Sequence, residues 1–477
     1  MSYRDFTGNG VRAGSSARLN IQEKSFGHDL GGPVLSAGGC ATGFDVVARR
    51  TMTLMKSTLL LALSLSLPLA GRTATLPPKR EAISSEWPEF RGPSGQGISL
   101  AANVPIHWSA TSNVAWKTAI PGRGWSSPVL SAGRLYVTTA DSSGAAFSLR
   151  ALCLDAGDGK VLWNREVIQP DSSSASAHHK KNTEASATPI VQGGKLYVHF
   201  GHMGTAALDL AGNVLWKQTD LQYSPVHGNG GSPVLVGDLL AFSCDGGDNP
   251  FIVALQADTG QVKWKVPRKT SAKKTFSFST PLAIEVSGQR QIISPGSGFV
   301  GAFDPKDGRE IWRVDYGEGY SLVPRPVYAF GMLFVTSGFD RPALYAIQPS
   351  GAKGDVTESK VVWNIKKSVP NTPSLLVAGE EIYFVSDNGI ATCASAMTGE
   401  IHWSERLGGD FSASPVLAEN RVYFQNETGT GFVLKPGKSF ALLAKNNLGE
   451  RTLASYAVAD NSLFIRSENH LWRIGNP

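Results

Sequence analysis

From about residue 113 onward, apolar side chains fall at every second position in short runs, and glycine or Asp-Gly pairs separate the runs. Period-two alternation over four to eight residues marks a half-buried strand, and turn residues between such runs mark hairpins. The first cluster shows the order: Ser127-Pro128-Val-Leu, Arg134-Leu-Tyr-Val-Thr-Thr139, Leu149-Arg-Ala-Leu-Cys-Leu154 and Lys160-Val-Leu-Trp163. Asp158-Gly159 and Asp307-Gly308 suit tight hairpins, because glycine takes a positive φ without steric cost.

This four-strand unit recurs. Seven tryptophans (Trp116, Trp163, Trp216, Trp264, Trp312, Trp363 and Trp403) end short strands, and five have a glycine four residues earlier: Gly159, Gly212, Gly260, Gly308 and Gly399. A period near 50 residues signals a solenoid, propeller or array. First strands open at Ser127-Pro128, Thr188-Pro189, Ser232-Pro233, Thr280-Pro281, Arg325-Pro326, Thr372-Pro373 and Ser414-Pro415, where a proline breaks no ladder bond. An eighth unit opens at Ala454-Ser455 and ends one strand short, while Asn113–Ala119 is a fourth strand lacking its first three. Pairing the two closes a ring and protects both edges. The expectation is an all-β, eight-bladed β-propeller of four-stranded antiparallel blades, closed by an N-terminal strand. The seventh blade lacks its tryptophan and offers Phe440-Ala-Leu-Leu443 in its place. The tryptophans are read as packing between neighbouring blades, not as a cofactor box.

The recurring (Ala/Leu)-x-Asp-x-x-(Thr/Asp)-Gly-x-x-x-Trp pattern resembles the PQQ-type repeat. That repeat occurs in eight-bladed quinoprotein dehydrogenases and in the outer-membrane assembly lipoprotein BamB. With Trp87-Pro-Glu-Phe-Arg-Gly-Pro93 leading into it, the arrangement over residues 85–477 is similar to secreted PQQ-binding-like propellers. The resemblance is specific for fold and not for function, since one propeller serves many tasks.

Met55-Lys56-Ser57-Thr58 followed by Leu59–Ala70 reads as a secretory signal: one positive charge, an apolar run too short to span a bilayer, then small residues. Residues 1–51 lack hydrophobic periodicity and are read as a non-native upstream extension outside the mature protein, or as a disordered stretch. The domain reading is 1–51 extension, 52–74 signal peptide, 75–112 lead-in and 113–477 propeller, with a periplasmic or secreted location. Residues 1–74 carry 8 of the 45 Lys and Arg and 4 of the 39 Asp and Glu, so the net charge falls from +6 to +2 without them. No basic stripe remains, which argues against nucleic acid as a partner. Cys40 lies before the apolar run and has no lipobox, and Cys153, Cys244 and Cys393 read as buried structural thiols. No C-x-x-C-H haem site, G-x-S-x-G elbow or alternating acidic calcium loop occurs.

The strand order places the interblade loops and the loops between second and third strands on one face, and the Gly-x-x-x-Trp turns on the other. Residues on the first face are the binding-rim candidates: Arg123, Trp125, His179, Asn182, His202, His227, Asn229, Phe276, Tyr320, Arg325, Asp340, Arg341 and Arg451. Arg123, Arg325, Arg341 and Arg451 either grip an anion above the channel or pair with carboxylates, Arg325 with Glu318 for example. His178, His179, His202 and His227 are the metal candidates, although their spacing fits no zinc motif and hydrogen-bonding histidines are the plainer reading. No catalytic residue is assigned.

The favoured function is a monomeric binding scaffold for a protein or polymer partner in the cell envelope, BamB-like and without a cofactor. The alternative implied by the resemblance is a quinoprotein oxidoreductase, with PQQ and calcium over the channel and an Asp base. The adjacent cysteine pair of alcohol dehydrogenases is absent, and Glu184 and Asp340 are the positions offered for the acidic residues. A third reading is hydrolysis or isomerisation at the His/Asp rim.

Overall fold

The computed structural model describes residues 85–142, 147–170 and 178–475. The expected upstream extension and signal lie outside the described residues. Among the described residues, the alternating runs pair into eight antiparallel sheets of four strands, one of them with an added fifth. These are the eight blades of a β-propeller. Blade 1 comprises Val129–Ser131, Arg134–Asp141, Ser148–Asp155 and Val161–Ile168. Blades 2 to 7 run from Ile190–Gln192 to Leu442–Asn447. In blade 8, the strands Ala457–Ala459, Ser462–Arg466 and His470–Ile474 are completed by Val114–Ala119, which pairs antiparallel with His470–Ile474. The ring closes with the strand the sequence predicts.

The Gly-x-x-x-Trp motif serves two seams at once. Five of the tryptophans reach forward, and the indole N–H of each donates to a backbone carbonyl in the next blade: Trp116 to Ala156, Trp163 to Leu210, Trp216 to Ala257, Trp264 to Pro305 and Trp403 to Gly437. At Trp116, Trp163, Trp216, Trp264 and Trp363 a glycine of the next blade lies against the ring. A Cβ on Gly308 would stand 2.6 Å from the Trp264 ring, and one on Gly399 would stand 2.8 Å from Trp363. Both glycines also have φ near +75°, so the turn and the close approach each require glycine.

The seams after blades 4 and 7 show neither contact, and extra chain fills both. In blade 5 the turn is replaced by Gly351–Lys360, whose strand Gly354–Asp355 pairs parallel with blade 4 across Trp312 and Arg313. Trp312 is thereby fully buried and donates to Gln291 Oε1. In blade 7 the register opposite Val433 holds Ala444, not Phe440, so Phe440 does not replace the missing tryptophan. Trp108, from the lead-in, stacks on Tyr423 with ring centroids 6.4 Å apart. Its backbone is held by Asn446, whose side chain accepts from Trp108 N–H and donates to Ile106 O.

The lead-in also crosses the channel. Trp87 bridges Leu130 of blade 1, and Val191 of blade 2 donates to Pro88 O. Gln96 Oε1 accepts from Tyr328 of blade 5, Arg91 donates to Leu375 O of blade 6, and Ile98 bridges Leu417 of blade 7. Ser99 donates to Val458 O of blade 8. The Trp87-Pro-Glu-Phe-Arg-Gly-Pro93 motif is therefore a plug bonded to the inner strands, on the hairpin side of the ring.

Candidate functional site

The residue two positions before each first strand faces the channel, and a hydroxyl there accepts the N–H of its counterpart in the preceding blade. Ser127 donates to Thr188 Oγ1, Thr188 to Ser232 Oγ and Ser232 to Thr280 Oγ1. After a break, Arg325 donates to Ser374 Oγ, Ser374 to Ser414, Ser414 to Ser455, and Ser455 back to Ser127. The separations are 2.8 to 3.1 Å. The blade 6 member is Ser374, two residues after the expected Thr372; Thr372 instead donates to Asp387. Blade 5 breaks the circle because it supplies Arg325 in place of a hydroxyl.

Above this ring opens a bowl of about 500 Å³. Phe90 of the plug is its floor, the hydroxyls are its throat, and Trp125, Phe278, Tyr320 and Phe339 line its wall. The segment after residue 177 straps across the mouth. His179 N–H donates to His227 O and Asn182 Nδ2 to the same carbonyl, on the blade 3 side. On the opposite side Lys181 Nζ lies 2.6 Å from Glu427, and Arg451 donates to Lys180 O. One short loop thus ties the entry of blade 3 to blades 7 and 8.

Several rim candidates come together here. Trp125, His179, Asn182, His227 and Tyr320 line the bowl. Phe276 stacks edge-on between His227 and Tyr320, with centroids 5.4 and 5.3 Å away. Arg451 lies over the Trp125 ring and pairs with Glu468 at 3.5 Å. Arg123 contacts His178 Nε2 at 3.4 Å, and Asp340 accepts from Tyr320 at 3.5 Å. Arg341 is exposed beside it.

Others are placed differently from the expectation. Arg325 is not on the rim: it is buried at the ring and turns toward the plug, donating to Pro281 O, Phe90 O and Glu89. Its carboxylate partner is Glu89, not Glu318, because the plug brings a residue distant in sequence into the hub. Asn229 and His202 are buried behind the wall. Asn229 accepts from Tyr223 O–H at 2.7 Å and donates toward Phe200 O, while His202 Nδ1 lies 3.2 Å from Asn229 Nδ2. The metal candidates are divided in the same way. His178 pairs with Glu184 at 3.4 Å, His202 faces Asn229, and only His179 and His227 meet, edge-on at 5.8 Å. Burial and the neighbouring His227 and Lys181 lower the His179 pKa, which favours its neutral form.

A second polar cluster carried no spacing signal in the sequence. Behind Phe278, Asp245 pairs with Arg268 at 2.8 Å and accepts from Ser277 at 2.6 Å, with both ion-pair partners fully buried. His199 and Tyr223 border the same small space, about 10 Å³, which is the room of roughly one water. Burial pushes the His199 imidazole down to about 3, so it is neutral at pH 7. The three cysteines lie within the blades and away from the bowl, and burial raises Cys153 and Cys393 to about 11.

A quinone with calcium would need carboxylates to hold the cation. Among the described residues Asp387 is the one carboxylate lining the bowl, and it already accepts from Asn371 N–H and Thr372 O–H at 2.7 and 2.6 Å. Among the described residues no three His, Cys, Asp or Glu side chains group together as a metal site. Glu184 faces His178, and Asp340 is exposed on the rim. The carboxylates among the described residues do not fit a calcium site in the bowl.

The PQQ-repeat family model described as outer membrane protein assembly factor BamB matches residues 103–183, 150–285 and 296–438. Among solved structures, BamB from Moraxella catarrhalis is 14% identical, covers 76% of this chain and 99% of its own, and superposes with a TM-score of 0.52. The computationally designed Ika8 protein is 11% identical over 80% of this chain and 99% of its own, with a TM-score of 0.53. A quinohemoprotein alcohol dehydrogenase from Comamonas testosteroni is 13% identical over 83% and 81%, with a TM-score of 0.42. No curated protein matches the sequence. At these identities the likenesses to BamB and Ika8 support the fold alone.

Proposed function

We propose a binding role from one premise: this chain belongs to the BamB family of PQQ-repeat β-propellers. It acts as a monomeric scaffold in the cell envelope, reached through the signal at residues 52–74, and captures a segment of a protein partner in the bowl. The observation that carries this reading is the composition of the bowl. Aromatic rings form its wall, hydroxyls form its throat, and the titratable groups nearby are engaged in holding loops. Lys181 is tied to Glu427, and Asp387 to its own loop. Large, rigid aromatic side chains around a concave site are the usual anchors of protein recognition.

Site-specific photocrosslinking tests it. A benzophenone amino acid at Phe339, on the bowl wall, is compared in the producing cell with one at Val362, on the outer strand of blade 5. Protein adducts are expected at Phe339 and not at Val362; adducts at neither, or equally at both, would overturn the reading. Incubation with PQQ and Ca²⁺ addresses the oxidoreductase alternative. The scaffold shows no bound quinone absorbance and no dye-linked alcohol oxidation, whereas both together would replace it with an enzyme.

A further inference from the structure

The seven ring hydroxyls share one unmet need. Each uses its oxygen to accept a backbone N–H from the neighbouring blade. A hydroxyl that accepts still has a proton to donate, and no side chain or carbonyl among the described residues takes any of the seven. All are at most 5% exposed and all line the bowl. At the break in the circle, the Thr280 N–H has no counterpart hydroxyl to receive it. The throat is thus a band of buried donors with no acceptor of its own.

The charge around it is mainly positive, with three guanidinium groups against Glu89 beside Arg325 and Asp387 in the bowl lining. Arg325 occupies the eighth ring position. Arg91 donates to Leu375 O beside Ser374, and its Nε and Nη1 have no protein partner. Arg466 donates to Ser126 O and Oγ beside Ser127. These three guanidinium groups are buried, and among the described residues Glu89 is the one carboxylate paired with any of them. Burial weakens screening, so the imbalance is felt at the throat.

We propose that the throat binds a carboxylate, and that this carboxylate is the C-terminus of the partner chain seated in the bowl. The assignment rests on the scaffold reading above. A sugar or an amide also offers acceptors to these protons, but only neutral ones. A carboxylate is acceptor-only, and its charge-assisted hydrogen bonds are roughly twice as strong as neutral ones. The plug decides which part of a polypeptide can arrive: with Phe90 as a floor the channel is blind, so a chain end reaches the hydroxyls and a mid-chain loop does not. The residues just before the terminus then lie against Trp125, Phe278, Tyr320 and Phe339.

Calorimetry on the full mature chain tests this with four probes: an N-acetylated, aromatic-rich hexapeptide ending in a free carboxylate, the same peptide as its C-terminal amide, sodium acetate, and inorganic phosphate. The acid peptide is expected to bind at least about tenfold more tightly than the amide. Ser232→Ala together with Ser414→Ala should reduce that preference to under about threefold, and Ser414→Thr, which keeps the hydroxyl, should retain it. Equal affinity of acid and amide overturns the carboxylate throat and leaves the scaffold reading standing. Binding of acetate or phosphate without either peptide overturns the chain terminus as the source, and with it the peptide-capturing bowl. Binding of no probe overturns the proposal. The acid-to-amide comparison on the unaltered protein decides the matter even where the double variant fails to fold.

Discussion

The outer seams and the inner ring solve the same problem, joining one blade to the next, by different chemistry. At the outer seams an indole fills the gap, and its N–H and flat face are matched by a carbonyl and a glycine of the following blade. At the hub, a hydroxyl of one blade accepts an N–H of its neighbour, and the contact buries little apolar surface. The outer joint draws its strength from area removed from water, and the inner one from satisfying a buried donor. The contrast explains why the outer joint tolerates substitution by foreign chain (Gly354–Asp355, Trp108) while the inner joint keeps its register through seven of eight blades.

The largest effects should fall on the outer seams. Trp264→Ala is expected to cost about 3–5 kcal/mol, and Trp108→Ala a similar amount although it lies outside the repeat. Denaturant midpoints for the two variants check this; a near-neutral Trp108→Ala would mean that the lead-in merely drapes over blade 7. Next comes Gly308→Ala, roughly 2–3 kcal/mol from a positive φ plus the clash with Trp264, read from the same unfolding curves. At the hub, Ser232→Ala leaves the Thr188 N–H unsatisfied and should cost about 1–2 kcal/mol, less than either outer change. If it costs more than Trp264→Ala, the ordering proposed for the two joints is wrong.

The smallest effect is conditional on pH. His199 is held neutral by burial, with its pKa near 3 in the fold against 6.5 unperturbed. The unfolded chain therefore binds the extra proton first, so stability is intact above about pH 6.5 and falls as the pH drops toward 3. The loss attributable to this one group is about 1 kcal/mol between roughly pH 6.5 and 5.5. His199→Gln should flatten that part of the stability profile, and an unchanged slope would show that other groups control it.

Period-two alternation and the Gly-x-x-x-Trp spacing made the blades and the closing strand legible, because both are local consequences of a strand and its turn. The same logic placed Trp125, His179, Asn182, His227 and Tyr320 around the bowl, since loop position follows from strand order. What stayed illegible depends on contacts between residues far apart in sequence. Arg325 looked like a rim residue until the plug brought Glu89 and the Phe90 carbonyl to it. In blade 6 the proline misled, because Pro373 precedes Ser374 instead of following it. The Phe440–Leu443 stretch looked like the tryptophan's replacement, but the pairing register gives that place to Ala444. Asp245, Arg268 and Ser277 meet across loops of variable length, which no fixed spacing could announce.

A wheel of eight similar blades offers an off-axis guest eight nearly equivalent seats. The gap in the hydroxyl circle removes that degeneracy: at one azimuth a guanidinium anchored to the plug stands where every other blade has a hydroxyl. Arg325 therefore works as an index mark, giving a near-symmetric hub a single heading along which anything bound there is oriented.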